Sequence, residues 1–218
     1  MRGRVLSAGD GPASDWNVPN VITIVRILCV PLFLWLLLAD GGAHGPMRWW
    51  AGALFVAAIA TDAVDGHLAR SRGLITDLGK LLDPIADKAI TGAAFIGLSI
   101  LAELPWWMTI AILVRELGIT LWRLAEARRI VLPAGRGGKA KTVLQAVALS
   151  LALLPLHHLI GWDVWHWANV ALMGLALVLT MWSGADYLWQ AYRPGATVLR
   201  VDEVSAEERP PFDDPEHA

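Results

Sequence analysis

Long apolar runs separated by short polar segments are the dominant pattern of this chain of 218 residues. A helix needs about 20 apolar residues to cross a hydrocarbon core about 30 Å thick, so runs of this length predict transmembrane helices. Six runs qualify, at about residues 20–40, 47–66, 80–103, 105–128, 140–161 and 164–190. The pattern therefore predicts an all-α integral membrane protein with six transmembrane helices.

The two ends of the chain lack these runs. Residues 1–16 are rich in Gly, Ser and Asp, which predicts a flexible leader. Residues 193–218 are charged and rich in proline, which predicts a disordered cytoplasmic tail. Residues 17–192 are then one transmembrane domain. The first apolar run is interrupted by Arg26 and is longer than a typical signal-peptide core, so we expect a retained helix.

Composition agrees with this prediction. The chain has 56% hydrophobic and 17% charged residues and a mean hydropathy of +0.49, values typical of a polytopic membrane protein. A net charge of −2 gives no indication of a nucleic-acid surface. The single cysteine, Cys29, excludes an intrachain disulfide framework and a multi-cysteine metal site.

Basic residues predict the orientation in the membrane. The loops after the second and fourth predicted helices, the N-terminus and the tail are rich in Lys and Arg, whereas the opposite loops carry only Arg48. Both termini are therefore predicted to be cytoplasmic, in a multi-pass protein of the cytoplasmic membrane. Tryptophans at the predicted outer ends indicate an aromatic belt. They are Trp49, Trp50, Trp106, Trp107, Trp162, Trp165 and Trp167. For the nearby His157, His158 and His166 we favour an interfacial structural role over metal binding.

Two pairs of aspartates interrupt the apolar pattern. Asp62 and Asp65 are three residues apart near the end of the second predicted helix, and Asp83 and Asp87 are four residues apart in the third. Residues at these spacings share a helix face, and an antiparallel hairpin would bring the two pairs together. A charge at the centre of a span costs about 2.5–3.5 kcal/mol. A divalent cation such as Mg²⁺ or Mn²⁺ would offset this cost and the repulsion between the carboxylates.

Local structural roles are the alternative for these aspartates. Asp83 precedes Pro84, a combination suited to a helix start, and Asp65 precedes Gly66, which suits a helix end. Two pairs with helical spacing nevertheless favour metal binding.

The residues between the two pairs indicate the ligand. Gly66, Ala69 and Gly79 are small and would let a bulky group approach the backbone. Arg70 can neutralise a phosphate. Small residues, carboxylate-held metal and an arginine together suit a diphosphate, because Mg²⁺ commonly bridges carboxylates and phosphate oxygens.

A second group of charges is basic. Its members are Arg115, Arg123, Arg136, Lys139 and Lys141. Arg115 lies near the middle of the fourth predicted helix, too deep to act only in topology, and needs Glu116, an aspartate or an anionic substrate as a partner. For Arg136 and the two lysines, a purely topological role is the alternative. The group predicts a second anion site beside the metal.

The first predicted helix also carries a polar face. Asn20, Thr23 and Arg26 recur at a spacing of three. Arg26 has two interpretations, since its long side chain can reach the cytoplasmic surface or contact a substrate.

These residues resemble the signature of the CDP-alcohol phosphotransferase family. The sequence Asp62-x-x-Asp65-Gly66-x-x-Ala69-Arg70, followed after eight residues by Gly79-x-x-x-Asp83-x-x-x-Asp87, departs from that signature at no position. The segments NVPNVITIVRI, DLGKLLDPIADK, VREL and GKAKT are similar to one branch, the phosphatidylglycerophosphate synthases. The resemblance covers roughly residues 17–155, and the last helix carries little of it.

The resemblance implies a homodimer of six-helix subunits, each with an active-site cavity open to the cytoplasm and with two divalent ions, Mg²⁺ or Mn²⁺. Asp87 would be the general base, with Asp83 beside it in the catalytic set. The metal ligands would be Asp62, Asp65, Asp83 and Asp87. CDP-diacylglycerol would be held by Asp62, Gly66, Ala69, Arg70 and Gly79. The acceptor phosphate would be held by Arg115, Arg123, Lys139 and Lys141.

The implied reaction belongs to phospholipid biosynthesis. It transfers the phosphatidyl group of CDP-diacylglycerol to glycerol 3-phosphate and releases CMP. Within the family, the alternatives are a cardiolipin synthase that uses phosphatidylglycerol and a phosphatidylinositol phosphate synthase. Outside it, a membrane prenyltransferase is a more distant alternative, because those chains typically have more helices and a different aspartate spacing. A cation channel or transporter is also more distant, because the predicted outer helix ends are apolar.

Overall fold

The computed structural model describes residues 18–72, 77–126 and 136–192. Within these ranges all regular structure is helical, which confirms the all-α part of the predicted class. The helices are α1 (Val18–Asp40), α2 (Pro46–Arg72), α3 (Asp77–Ile100), α4 (Trp106–Glu126), α5 (Arg136–Leu153), α6 (His157–Ile160) and α7 (Trp162–Tyr192). The predicted leader and tail lie outside the described residues.

Among the residues that the structure describes, two helices are long and apolar enough to cross a membrane. They contain the segments Val21–Asp40 in α1 and Trp162–Trp189 in α7, and Ala140–Leu153 in α5 is a shorter apolar segment. Length and composition therefore support the first and last predicted spans among the residues described. The second, third and fourth spans stay predictions.

The helix that carries the first aspartate pair is longer than predicted. The apolar run ends near residue 66, but α2 continues to Arg72, so Gly66 does not end the helix. A single glycine costs a helix only about 1 kcal/mol, which neighbouring residues can offset. Similarly, α3 begins at Asp77, six residues before Asp83, so Asp83 is not the N-cap of α3. Neither local structural alternative agrees with these helix bounds.

The fifth predicted span is wrong as a single helix over 140–161. In the structure α5 ends at Leu153, a single helical turn forms α6, and α7 begins at Trp162. Pro155 explains the break, because proline lacks an N–H donor and disfavours helical backbone in the residue before it. Gly161, with φ of 85°, separates α6 from α7.

The chain forms two compact units. One comprises Met1–Glu103 with Ala152–Pro155, and the other comprises Leu104–Leu151 with Leu156–Ala218. In the first unit α1 packs against α2 and α3. Phe33 of α1 and Phe55 of α2 are fully buried, with ring centroids 5.9 Å apart.

The polar face predicted on α1 is directed into the protein. Thr23 and Arg26 are buried, at 2% and 4% exposure. The side chain of Asn20 lies outside the description. Burial of Arg26 agrees with an inward role and not with a side chain that reaches the aqueous surface.

Most of the predicted belt tryptophans are exposed. Trp50, Trp107 and Trp167 are each more than 60% exposed, as expected of rings that contact a membrane interface. Trp165 differs, because it is buried and its Nε1 donates a hydrogen bond to the carbonyl of Leu151 at 3.1 Å. Trp165 is therefore a core residue of the second unit.

One buried arginine links the ends of helices in the first unit through hydrogen bonds. Arg48 is fully buried and donates from Nη1 to Glu103 Oε1 at 2.9 Å and from Nη2 to Glu103 Oε2. Its Nε and Nη2 also donate to the carbonyls of Leu153 and Ala152, at 3.0 and 2.9 Å. The last carbonyls of a helix lack partners within the helix, and Arg48 satisfies two of them. Its charge is compensated by Glu103, which explains why a single basic residue is tolerated on the predicted outer side.

Replacing Arg48 by methionine is expected to lower the free energy of unfolding by about 3–5 kcal/mol, the range for breaking a buried ion pair from one side. Glu103 would lose its partner and two carbonyls would lose their donors. Thermal unfolding of the detergent-solubilised protein measures the effect. The control is the double variant Arg48→Met/Glu103→Leu, which should melt above the single variant because no carboxylate is left without a partner. Unchanged melting of Arg48→Met would contradict the structural role.

Candidate functional site

The aspartate pairs lie in two neighbouring helices. Asp62 and Asp65 belong to α2, Asp83 and Asp87 belong to α3, and the two helices are in contact. Asp65 is seven residues before the end of α2, and Asp83 is six residues after the start of α3. At 1.5 Å per residue, Asp65 and Asp83 are about 10 Å along their helices from the four-residue connection, and Asp62 and Asp87 are about 15 Å along them. Both pairs lie within helices, so their spacings of three and four residues meet the condition for a shared helix face.

Of the signature residues, Asp87 is the one whose side chain the structure describes. Its carboxylate is 28% exposed, and Oδ2 lies 3.6 Å from the ammonium of Lys88. Its backbone carbonyl accepts a hydrogen bond from Thr91 Oγ1 at 2.8 Å. A carboxylate that is partly exposed is accessible to a ligand or a proton. The remaining signature side chains lie outside the description. They are Asp62, Asp65, Gly66, Ala69, Arg70, Gly79 and Asp83.

Two of the predicted acceptor-site residues meet at a shared carboxylate in the second unit. Arg115 Nη1 of α4 donates to Glu116 Oε1 at 3.0 Å, and Lys141 Nζ of α5 donates to the same oxygen. Glu116 and Lys141 are buried, at 6% and 5% exposure. The other two predicted residues, Arg123 in α4 and Lys139 in α5, have side chains outside the description.

The last long helix extends this cluster. Arg115 Nη2 donates to Ser183 Oγ of α7 at 2.6 Å, and the Ser183 hydroxyl donates to the Thr180 carbonyl at 3.1 Å. Gln145 Nε2 of α5 donates to Thr180 Oγ1 at 2.7 Å. Gln145, Thr180 and Ser183 are buried. Polar side chains of α4, α5 and α7 thus form one network, which we name the basic cluster. It consists of Arg115, Glu116, Lys141, Gln145, Thr180 and Ser183.

The basic cluster contains more positive than negative charge. Arg115 and Lys141 share Glu116, so two cations face one carboxylate among its members. Charges interact strongly in an interior of low dielectric constant, so two cations held this close together can attract an anion. Glu116 keeps the two cations close together and offsets their mutual repulsion.

Sequence reasoning identified only part of the basic cluster. It predicted Arg115 and Lys141 and considered Glu116 only as one of several partners for Arg115. Gln145, Thr180 and Ser183 were missed. The available signal was their spacing, because Lys141 and Gln145 are four residues apart and Thr180 and Ser183 three residues apart in otherwise apolar helices.

The histidines near the predicted outer helix ends lie among aromatic rings. The His157 ring centroid is 4.0 Å from that of His158, and it is 5.1 and 5.4 Å from Trp162 and Trp165 in edge-on contacts. These contacts agree with the structural role favoured for this region.

Over the described ranges, the structure and the sequence together define a helical protein with apolar helices of membrane-spanning length, paired aspartates and a largely buried basic cluster. Comparison with known proteins identifies the class. The model of the CDP-alcohol phosphatidyltransferase family matches residues 16–182, and the chain belongs to this family. The resemblance inferred from the signature is confirmed, and the match extends further into α7 than that inference expected.

Three relatives make the comparison more specific. A protein of Mycobacterium tuberculosis strain H37Rv named "probable phosphatidylglycerophosphate synthase" is 48% identical over 183 residues, which cover 84% of this chain and 85% of the relative. The Bacillus subtilis "CDP-diacylglycerol--glycerol-3-phosphate 3-phosphatidyltransferase" is 38% identical over 193 residues, covering 82% and 98%. The Streptomyces coelicolor "cardiolipin synthase (CMP-forming)" is 33% identical over 185 residues, covering 81% and 83%.

Proposed function

We propose that this protein transfers the phosphatidyl group of CDP-diacylglycerol to glycerol 3-phosphate, giving phosphatidylglycerophosphate and CMP. Family membership and the names of the Mycobacterium tuberculosis and Bacillus subtilis relatives support this proposal. The single structural observation that carries it is the basic cluster, in which Arg115 and Lys141 face one carboxylate. Such a site suits an acceptor that carries a phosphate group.

The charge of the acceptor separates this function from a cardiolipin synthase. A phosphate monoester carries a charge of about −1.5 to −2 at pH 7. The phosphodiester of phosphatidylglycerol carries a single negative charge and is attached to a bulky lipid. Two cations in a buried site match the monoester better. Inositol phosphate is also a monoester, so a phosphatidylinositol phosphate synthase is the second candidate.

We propose that two divalent cations, Mg²⁺ or Mn²⁺, are held by the four aspartates. Asp62, Asp65, Asp83 and Asp87 supply hard oxygen ligands from two helices in contact, a donor set that fits these ions. When bound, the ions neutralise the diphosphate and stabilise the departing phosphate.

The chain's own residues divide the remaining work. Asp62, Gly66, Ala69, Arg70 and Gly79 hold the CDP group. Arg115 and Lys141, with Arg123 and Lys139, hold the acceptor phosphate and so orient the acceptor. The acceptor hydroxyl attacks the phosphorus next to diacylglycerol, and the bond from that phosphorus to CMP breaks. Asp87 accepts the hydroxyl proton, and CMP leaves. Asp83 is the other member of the proposed catalytic set.

The proposed setting is the cytoplasmic membrane. Six helices would cross it in a domain of residues 17–192, with both termini and the active-site cavity on the cytoplasmic side and with the chain forming a homodimer. The apolar segments of α1 and α7 support a membrane location, as does a lipid donor. A cytoplasmic cavity gives the soluble acceptor access to the lipid substrate.

Release of CMP tests the proposed reaction. The purified protein is incubated with CDP-diacylglycerol and Mg²⁺, and with glycerol 3-phosphate, phosphatidylglycerol or inositol phosphate in parallel. Of the three acceptors, we expect only glycerol 3-phosphate to cause release of CMP. CMP release with another acceptor would reassign the substrate. No release with any of the three would favour a transport function, for which the aspartates would line an ion path.

Asp87→Asn tests the proposed base. The amide cannot take a proton, so we expect a loss of turnover of at least about 10²-fold, the lower range for removing a general base. Binding of CDP-diacylglycerol, measured by its protection against thermal unfolding, should be largely kept. Turnover near that of the unaltered protein would refute the assignment.

Arg115→Ala tests the acceptor site. The KM for glycerol 3-phosphate should rise about 10- to 100-fold, as expected for the loss of hydrogen bonds to a charged group, with little change in the KM for CDP-diacylglycerol. Arg115→Lys keeps the charge but loses the planar fork, so an intermediate effect is expected. Equal effects on the two KM values would argue against an acceptor role for Arg115.

A further inference from the structure

The side chain of Arg115 lies directly against the backbone of α7 at Gly184. A Cβ atom placed on Gly184 would be 2.9 Å from Arg115 Nε and 3.1 Å from Arg115 Cγ. A Cβ atom is essentially never found within 3.0 Å of another heavy atom, so any side chain at position 184 would require Arg115 to shift. Gly118 of α4 and Gly174 of α7 have no atom within 4 Å of such a Cβ among the described residues. The close approach therefore distinguishes Gly184 from glycines elsewhere in these two helices.

The preceding residue fixes the other end of the same side chain. The Ser183 hydroxyl donates its only proton to the Thr180 carbonyl at 3.1 Å. Its lone pairs are thereby left to accept the hydrogen bond from Arg115 Nη2 at 2.6 Å. Glu116 accepts from Nη1 on the opposite side of the fork at 3.0 Å. The guanidinium is thus held at both Nη atoms while its stem lies over Gly184.

This arrangement leaves hydrogen-bond donors of Arg115 for a ligand. A guanidinium has five N–H donors, and Ser183 and Glu116 each take one. Arg115 Nε is buried against α7 and has no hydrogen-bond partner within the described part of the chain. The second N–H of each Nη stays available in a fixed orientation. A rigid fork of this kind is suited to a phosphate group.

We propose that Ser183 and Gly184 are positioning residues that form a seat for Arg115 and thereby set the affinity of the enzyme for its acceptor. The proposal rests on the proposed function of Arg115. Ser183 accepts a hydrogen bond from Arg115, and Gly184 has no side chain and so leaves room for the arginine. Both residues follow directly after the last residue matched by the family model, residue 182. They act through Arg115 and do not themselves touch the substrate.

Gly184→Ala is the principal test, with Gly174→Ala as its matched control in the same helix. Both changes should improve intrinsic helix propensity equally, so they differ only in what the new methyl group contacts. Gly184→Ala is expected to raise the KM for glycerol 3-phosphate about tenfold, equivalent to losing one charged hydrogen bond, while the KM for CDP-diacylglycerol changes less than about twofold. Gly174→Ala should leave both KM values unchanged.

Ser183 variants give a second test that does not depend on the Gly184 variant being folded. Ser183→Ala removes the hydrogen-bond acceptor and should raise the KM for glycerol 3-phosphate severalfold. Ser183→Thr keeps the hydroxyl and should restore most of the acceptor affinity. A purely structural role for Ser183 would instead change kcat and both KM values together.

A double-mutant cycle distinguishes failure of the seat from failure of the acceptor assignment. In an Arg115→Ala background the methyl group of Gly184→Ala has no side chain to displace, so it should cause no further change. A Gly184→Ala effect of equal size with and without Arg115 would overturn the seat, as would equal effects of the Gly184 and Gly174 changes. If Arg115→Ala leaves the acceptor KM unchanged, the acceptor assignment fails. The seat is then judged by the coupling between Arg115 and Gly184 in melting temperature.

Discussion

Each unit of this protein depends on the compensation of a charge buried in an apolar interior. Such a charge is very costly unless opposite charge and hydrogen bonds surround it. In the first unit Arg48 satisfies this requirement through Glu103 and two helix-end carbonyls. In the second unit Glu116 satisfies it for both Arg115 and Lys141. The two solutions differ in their balance of charge. Arg48 and Glu103 neutralise each other, which suits a structural tie, whereas the basic cluster has positive charge in excess and suits a site for an anion.

The hydrophobic pattern of the sequence predicted the positions of most helices, because an apolar run of membrane-spanning length has few alternatives to a helix. It failed where one backbone group determined the outcome. Pro155 lies in an apolar run and changes its hydrophobicity little, yet it removes a donor and ends α5 at Leu153. The opposite error occurred at Gly66, where a residue typical of helix ends lies inside α2. Average hydrophobicity does not contain this backbone information.

In the candidate site, too, some residues could be predicted from local sequence, whereas others depend on contacts between distant parts of the chain. The aspartate pairs were predictable because their spacing alone, once the segment is helical, brings carboxylates to one face. Arg115 was noticed because its charge is unusual at that depth. Its partner Ser183 is 68 residues away in sequence, and the contact exists only because α4 and α7 pack together. Ser183 and Gly184 are small residues in an apolar helix, and nothing in their local sequence indicates that an arginine lies against them.

Donor and acceptor recognition are separable for a physical reason. Relatives named as phosphatidylglycerophosphate synthase and as cardiolipin synthase both align with more than 80% of this chain. If the aspartate signature holds the CDP group, as proposed, it can serve each of these acceptors and does not choose among them. The choice must depend on residues that sense the charge and size of the second substrate. Two cations that share one carboxylate, of which Lys141 is buried and Arg115 is partly buried, would discriminate by charge, because each unit of negative charge is worth more in a low-dielectric interior than in water. Discrimination also requires a fixed geometry, since a flexible arginine adapts to many anions. The contacts of Arg115 with Glu116, Ser183 and Gly184 supply that constraint. Under the proposed function, control of acceptor choice would therefore lie in the basic cluster and outside the aspartate signature.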